Sequence, residues 1–160
     1  MAMNEAEIRK IVQNTLKELK PDKSKMTLAL AQKVCDAVLK EAERIGVNAV
    51  VCVSDAGGHP KLVKSMDDAY IASYDVAVNK AYTVVALKMS TATLKPLAQP
   101  GASLYGIQFT NGGKIVIFGG GDTLTDENGR IVGGLGVSGG SEEQDTALSA
   151  FGKEYFEKKL

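Results

Sequence analysis

The chain has 160 residues, which is enough for one globular domain and a short appendage. Hydrophobic residues make up 44% and charged residues 24%, a balance typical of folded proteins and unlike that of disordered ones. Because 19 basic residues balance 19 acidic ones, the formal net charge is zero, which argues against a dedicated nucleic-acid-binding protein that must neutralise phosphates.

The apolar segments indicate the cellular location. No stretch approaches the roughly 18 uninterrupted apolar residues of a transmembrane helix. The N-terminal segment carries Glu5, Glu7, Arg9 and Lys10 where a secretory signal has its apolar core. We therefore expect a soluble cytoplasmic protein with no membrane and no nucleic acid among its partners.

The first predicted element is an amphipathic helix over residues 4–19. Its apolar stripe has helical spacing and consists of Ile8, Ile11, Val12, Thr15, Leu16 and Leu19. Pro21 ends this helix, and the polar residues 20–25 are predicted to form a linker, so that residues 1–25 stand apart from a domain at 26–160. Because so short a helix is marginal alone in water, we expect its stripe to dock on its own domain, on a second copy, or in another protein's groove.

The domain at 26–160 is predicted to alternate between helices and antiparallel strands. The predicted bounds are a helix over 27–45, strands over 48–54 and 60–64, a helix over 70–88, strands over 114–118, 123–125 and 130–137, and a helix over 141–158. Residues 90–101 contain two prolines and are predicted to be irregular, with one helical turn. Strands joined by short turns pair antiparallel, so we predict an α+β fold: an antiparallel sheet of about five strands with flanking helices.

Local signals support several of these boundaries. Thr27 is a predicted N-cap, and Gly46 is the expected stop of the same helix. Ser141 and Gln144 match a capping box at the start of the last helix. The tight turn at 126–129 predicts a hairpin between the last two strands.

The glycine-rich segments have two interpretations. Residues 134–139 fit the pattern GxGxxG, but no second parallel strand follows, so a dinucleotide-binding unit is not expected. The glycines at strand ends form a floor without side chains for a flat ligand, or else serve turns and close helix packing. In the first interpretation, the N-terminus of the last helix offers N–H groups to an anionic group of the ligand. The candidate residues are Gly119, Gly120, Gly121, Gly139, Gly140 and Ser141.

The chain has one histidine, His59, in a predicted hairpin turn. It is either a solvated turn residue or a ligand, and heme is a cofactor that one histidine can hold, whereas a zinc site needs about four ligands. Cys35 and Cys52 are expected to be buried thiols, with Cys35 as an alternative soft iron ligand. Asp67 and Asp68 are expected to cap the following helix, with acid–base chemistry as the alternative.

Several motifs together resemble a known family over residues 26–156. They are Val53-Ser-Asp-Ala-Gly-Gly-His59, Met66-Asp-Asp-Ala69, Asn79-Lys-Ala81, Leu104-Tyr-Gly106, Phe118-Gly-Gly-Gly121 and the stretch from Gly133 to Asp145. This set resembles the GlcG/HbpS-type heme-binding family, and within it the C-terminal domain of the propanediol-utilisation protein PduO. The resemblance implies a profilin- or PAS-like sandwich that forms homo-oligomers from dimers to octamers. It also implies heme sites between subunits, with His59 as a candidate iron ligand.

Residues 4–19 resemble the encapsulation peptides that direct proteins into bacterial microcompartments. The resemblance therefore implies a heme-binding accessory protein of a microcompartment lumen, with the shell or lumenal enzymes as partners of residues 4–19. Its expected role is redox or cofactor maintenance, and an interaction with cobalamin is part of that expectation. Two alternatives stay open: a small-metabolite enzyme that uses the glycine-rich cleft, with His59 or Asp67 in proton transfer, and a non-catalytic oligomeric assembly protein.

Overall fold

The computed structural model describes residues 4–160, with the side chains of all of these except residues 16–19. The helices are α1 (Glu5–Leu19), α2 (Leu28–Arg44), α3 (Ile71–Leu87), α4 (Thr91–Leu97) and α5 (Glu142–Glu154). The strands are β1 (Val50–Asp55), β2 (Pro60–Ser65), β3 (Gly121–Thr125) and β4 (Ile131–Ser138). Short 3-10 turns at 107–109 and 111–113 precede β3, and one turn of π-helix at 155–159 follows α5.

The four strands form one antiparallel sheet in the order β2-β1-β4-β3. Val53, near the middle of the sheet, pairs with Leu62 on one side and Leu135 on the other. Helices cover both faces of the sheet, which confirms the predicted α+β class with an antiparallel sheet and flanking helices.

Alternation along β1 explains how the sheet divides the interior. Val51 and Val53 point into the larger core, which lies between the sheet and helices α2 and α5. Val50 and Cys52 point to the opposite face, where they pack against α3. The sheet is therefore the middle layer of a helix–sheet–helix sandwich.

The predicted boundary residues of α2 and α5 are confirmed. The side chain of Thr27 accepts a hydrogen bond from the N–H of Leu30 at 3.2 Å. Ser141 and Gln144 form the capping box of α5, each side chain accepting from the other residue's N–H. Gly46 has a φ of 73°, the left-handed conformation expected directly after a helix.

The strand predicted over 114–118 is wrong. Left-handed backbone at residues 111–113 turns the chain, and the segment runs beside α3 instead of joining the sheet. The N–H of Val116 donates to Thr83 Oγ1 at 3.0 Å, and Ile115 is buried. The apolar β-branched run is thus satisfied by contact with a helix, which local periodicity cannot distinguish from pairing with a strand.

Two smaller differences concern the segments around α3. Asp67 and Asp68 do not cap that helix: its N-cap residue is Tyr70, with no side-chain capping bond, and Asp68 has a left-handed φ of 60°. The segment 90–101 was expected to contain one helical turn, and it contains the two-turn helix α4. The N-cap of α4 is Ser90, whose side-chain oxygen accepts a hydrogen bond from the N–H of Thr93.

Lys23, inside the segment predicted as a linker, is buried against the end of the domain. Its Nζ donates to the carbonyl oxygens of Phe156 and Glu157, at 3.0 and 3.2 Å. The same Nζ lies 5.3 Å from the centre of the Phe156 ring. These contacts hold the chain to the end of α5 three residues before the domain was predicted to begin, at residue 26.

Candidate functional site

His59 lies at the tip of the hairpin between β1 and β2, with 82% of its side chain exposed. Asp55 shapes this turn because its Oδ1 accepts hydrogen bonds from the N–H groups of Gly57, at 2.9 Å, and His59, at 3.1 Å. The same oxygen is 3.5 Å from His59 Nδ1. A carboxylate beside Nδ1 orients an imidazole and leaves Nε2 for a metal, the arrangement that supports many metal-binding histidines.

The charge of Asp55 is maintained by the turn. Its partial burial raises the pKa of Asp55, but hydrogen bonds from the N–H groups of His59 and Gly57 favour the charged form. The positive charges of His59 and Lys61 act in the same direction, so the pKa of Asp55 lies below its ordinary value. The support for His59 is therefore an ionised carboxylate at neutral pH.

A cleft of about 460 Å³ is lined by Asp55, Ala56 and Gly57 of the turn but not by His59 itself, and we call it the hairpin cleft. Its apolar lining residues are Met26, Ala56, Ile131 and Val132. Its charged lining residues are the cations Lys25, Lys61 and Arg130, of which Arg130 is paired with Asp126, and the carboxylate of Asp55. A cleft with an apolar wall and several cations suits a flat apolar ligand that carries carboxylates.

These residues fit heme as a ligand. His59 supplies an exposed imidazole that is already oriented by a carboxylate, and one imidazole is enough to bind heme iron. The apolar side chains of the hairpin cleft match a porphyrin face, and its cations match the propionate groups. Among the described residues, no group of three or more histidine, cysteine or acidic side chains is placed to hold a metal ion.

The structure places the candidate glycines against the protein's own atoms. Gly119, Gly120 and Gly121 are buried, and a Cβ at any of them would press on Thr146, Lys80 or Thr91. The N–H of Gly119 donates to Glu142 Oε1 and that of Gly121 to Thr91 Oγ1, both at 2.9 Å. Their backbone groups thus have internal partners, and their contact with a ligand stays a prediction.

The second part of the glycine cluster lies at the N-terminus of α5. The N–H groups of Gly140 and Ser141 donate to Asp145 and Gln144, both at 2.9 Å. The first turn of α5 also carries acidic side chains: Glu142, Glu143 and Asp145. These groups already complement the positive end of the helix, so this terminus is poorly suited to an anion.

A buried ion pair that the sequence did not reveal lies at the centre of this cluster. Lys80 Nζ donates to Asp145 Oδ2 at 3.1 Å and to the carbonyl oxygen of Val137 at 2.8 Å, with the Phe118 ring centre 4.9 Å away. Burial lowers the pKa of Lys80 and raises that of Asp145, while each charge favours the ionised form of the other. The signal in the sequence that could have revealed this pair is a lysine among the inward-facing alanines of α3.

His59 and the glycine cluster lie at opposite ends of the sheet. Asp55, at the end of β1 next to the hairpin, pairs with Gly133, whereas Val50 pairs with Ser138, the residue before Gly139. The five-residue step along β1 corresponds to about 17 Å. The structure therefore does not bring His59 and Gly139 together within one chain. Asp67 follows the far end of β2 from His59, so these two proposed proton-transfer groups are also separated.

The two cysteines are buried and free, as expected. Burial raises the pKa of Cys35 and of Cys52 to about 12. Neither thiol is at the surface, so Cys35 offers no accessible ligand to a bound group. Separately, none of the helices within residues 4–160 has the length and apolarity needed to span a bilayer.

Comparisons with known proteins identify the family of the chain. The family model described as "Haem degrading protein HbpS-like" matches residues 26–153. A 15.0 kDa protein of Citrobacter freundii, encoded in the dhaT–dhaS intergenic region, is 48% identical over 78% of this chain and 87% of its own length.

Two further similarities involve PduO. The corrinoid adenosyltransferase PduO of Salmonella typhimurium is 40% identical over 89% of this chain, and the match spans 44% of that relative's length. The crystal structure described as a PduOC:heme complex is 37% identical with a TM-score of 0.77, covering 81% of this chain and 93% of that one.

Proposed function

The chain belongs to the HbpS-like family, and from that membership we propose that it binds heme as an accessory protein of a bacterial microcompartment. The observation that carries the proposal is its similarity to a PduOC:heme complex, at 37% identity and a TM-score of 0.77. The oriented imidazole of His59 and the hairpin cleft beside it support the same ligand. Redox or cofactor maintenance is the role that we assign to the bound group.

We assign separate tasks to the residues around the hairpin. His59 would hold the iron, and Asp55, whose Oδ1 lies 3.5 Å from His59 Nδ1, would help to orient the imidazole. Lys25 and Lys61 would pair with propionate groups, and Met26 and Val132 would lie against the porphyrin. When bound, heme would supply an iron that cycles reversibly between two oxidation states.

A hemin titration followed by visible absorption tests the proposal. It compares the wild-type chain with His59→Ala and with a matched control, Gln99→Ala, which changes an exposed residue just after α4. We expect a saturable Soret shift in the wild type and the control. In His59→Ala we expect an affinity weaker by about 10-fold or more, since a metal ligand is lost. A shift that survives in His59→Ala moves the iron ligand elsewhere, and no shift in any variant contradicts heme binding.

We propose that the chain forms a homo-oligomer, between a dimer and an octamer. The start of α3 supports this because it exposes large apolar side chains at adjacent positions: Tyr70 at 74%, Ile71 at 96% and Tyr74 at 50%. Light scattering behind size-exclusion chromatography measures the assembly. We expect Ile71→Lys to shift it toward the monomer, while Gln99→Lys, at an exposed polar position elsewhere, leaves it unchanged. A monomeric wild type contradicts the proposal.

We also propose that residues 4–19 act as an encapsulation peptide toward a microcompartment shell or lumenal enzyme. The side chains of residues 4–15 are exposed along their whole length, including Ile8, Ile11 and Val12 at 48, 53 and 50%. The test is co-purification with microcompartments of the chain carrying Ile8→Lys and Ile11→Lys. The control carries Arg9→Ala and Lys10→Ala on the polar face. We expect only the first variant to be lost from the compartment fraction, and equal retention of both contradicts the proposal.

Maintenance of cobalamin is the finer form of the proposed role. The support for this role is the similarity to PduO, which is named a corrinoid adenosyltransferase. The match covers 44% of the length of that relative. Mixing the reduced, heme-loaded chain with hydroxocobalamin and following the corrinoid spectrum tests it. We expect faster corrinoid reduction than with His59→Ala, and an equal rate contradicts the cobalamin role while leaving heme binding intact.

A further inference from the structure

The outer surface of α2 and α5 contains a groove that the heme proposal does not use. We call it the α2–α5 groove; it encloses about 680 Å³. Its lining residues are Lys33, Asp36, Ala37, Lys40, Glu41, Arg44, Phe151 and Tyr155. Phe151 is 37% exposed there, although it is a large apolar side chain. An exposed apolar floor between two helices is the shape that accepts an amphipathic helix.

The charges at the rim of the groove are partly paired within the domain. Asp36 is paired with Lys64, and Glu41 with Arg44 at 2.6 Å. Within the described side chains, Lys33 and Lys40 are paired with no carboxylate, and both are exposed. The groove therefore offers two uncompensated positive charges beside its apolar floor.

The point where α1 leaves the domain lies at one end of this groove. The burial of Lys23 against the carbonyl oxygen of Phe156 fixes the chain at the end of α5. Just before it, Lys20 and Pro21 line a second cleft together with Lys33, and Lys33 also lines the α2–α5 groove.

We propose that α1 folds back into the α2–α5 groove of its own chain, antiparallel to α2. The 15 residues of α1 make a helix about 22 Å long, and the 12 residues of α2 from Lys33 to Arg44 span about 18 Å, so α1 is long enough to cover the groove. If Leu19 is aligned with Lys33, the antiparallel register places Thr15 opposite Ala37. The apolar stripe of α1 then covers Phe151.

The register also brings one pair of opposite charges together at the end of α2. Glu7, in the first turn of α1, comes opposite Ile45 and next to Arg44. Antiparallel helices also place opposite ends of their dipoles together. While α1 is docked, its stripe cannot contact another protein, so the groove regulates access to α1 whether or not heme is bound.

Disulfide formation in the full-length chain tests the inference. The pair Thr15→Cys with Ala37→Cys is predicted to close, and Thr15→Cys with Ala72→Cys is the control, because Ala72 lies on α3 across the sheet. The native Cys35 and Cys52 are buried with pKa values near 12, so they do not compete. We expect the first pair to close at least 10-fold faster than the control, within a single chain.

A second pair of variants separates docking from chance collision. Phe151→Lys removes the apolar floor of the groove, whereas Phe109→Lys makes the same change at an exposed site that is 82% accessible. Only Phe151→Lys should slow closure of the Thr15–Ala37 pair to the control rate. Closure at the control rate from the start overturns the inference. Disulfides only between chains, increasing with concentration, overturn it in favour of a second copy as the occupant.

Discussion

The ion pair between Lys80 and Asp145 shows how much depends on a single interior contact. Lys80 is fully buried, and its Nζ has two oxygen partners and an aromatic ring around it. The pair joins α3, β4 and α5, and Asp145 Oδ1 also accepts from the N–H of Gly140. Removing either partner leaves a buried charge without compensation.

The first prediction follows from this contact. Lys80→Met is expected to lower the free energy of unfolding by about 3–5 kcal/mol, because Asp145 then stays buried without its cation. Lys64→Met, which breaks the surface pair with Asp36, is expected to cost at most about 1 kcal/mol. Urea unfolding of both variants measures the difference. Equal losses would show that Lys80 acts only through its apolar stem.

The sequence predicts residues with local roles better than residues with distant partners. Thr27 and Ser141 were identified as caps because a cap bonds to an N–H three residues ahead. The partners of Lys80 are Val137 and Asp145, 57 and 65 residues away, and no spacing rule connects them. The support of His59 by Asp55 lies within one turn, yet it depends on backbone geometry that composition does not specify.

Among the elements, α3 and β4 pack most closely. Three alternate positions of β4 face the helix and carry minimal side chains: Gly134, Gly136 and Ser138. A Cβ at Gly136 would overlap the carbonyl oxygen of Ala77, and one at Gly134 that of Ala81. The GxGxxG pattern in the sequence is therefore explained, at its first two glycines, by helix-on-sheet packing and not by a nucleotide.

The second prediction concerns this contact. Gly136→Ala is expected to destabilise the chain by about 3 kcal/mol or more, because α3 must move as a whole to admit the methyl group. Gly57→Ala is the matched control: its new Cβ would meet mainly the exposed side chain of His59, and the expected cost is within about 1 kcal/mol. Thermal unfolding distinguishes them, and equal melting temperatures would contradict the packing argument.

The third prediction concerns the turn between β3 and β4. The N–H of Arg130 donates to Asp126 Oδ1 at 2.9 Å, and this bond and the Arg130 guanidinium lower the pKa of Asp126. The folded-state pKa thus lies below the unfolded value of about 3.9, so the stabilisation is present above that pH and is lost as pH falls through the folded-state pKa.

We therefore expect Asp126→Asn to lose less stability than the wild type between about pH 6 and pH 3. Glu127→Gln, the exposed neighbour in the same turn, is the control and should follow the wild type. Denaturant unfolding at a series of pH values measures both. Parallel curves for all three proteins would mean that Asp126 contributes no acid sensitivity.

At this scale the sequence was accurate where an element carries its own signals. The hairpin turn at 126–129 was predicted from residues that bond to each other within the turn. The segment 114–118 was mispredicted as a strand because its apolar residues contact α3, whose position depends on the whole fold. Periodicity reports that a segment is buried, but it does not report what buries it.

For the whole molecule, the order of elements was enough to predict the layered sandwich, but not the strand order. β4 lies between β1 and β3, and this arrangement sends the hairpin tip and the glycine cluster to opposite ends of the sheet. The separation of His59 from the glycines therefore could not be deduced from their order along the chain. Only long-range pairing determines which loops meet.

The fourth prediction tests where the domain begins. Removing residues 1–20 should lower the melting temperature of the domain only by the small amount that docking of α1 in the α2–α5 groove contributes, because the described side chains of α1 are otherwise exposed. Removing residues 1–25 should lower it by several degrees, since the buried Lys23 and its bonds at the end of α5 are lost. Lys23→Ala in the full chain should reproduce most of that loss. Identical melting temperatures for both deletions would place the boundary at residue 26.

The face of β4 that packs against α3 lacks side chains at its two glycines, and this affects how the helix is bound to the sheet. At Gly134 and Gly136 a second α-hydrogen takes the place of a side chain and points at the carbonyl oxygens of Ala81 and Ala77. These are the positions of weak Cα–H···O bonds, worth about 0.5–1 kcal/mol each. The carbonyl oxygens of α3 therefore have weak hydrogen-bond donors on the sheet, and these donors are the α-hydrogens of the glycines. A larger residue at either position removes the donor as well as the space.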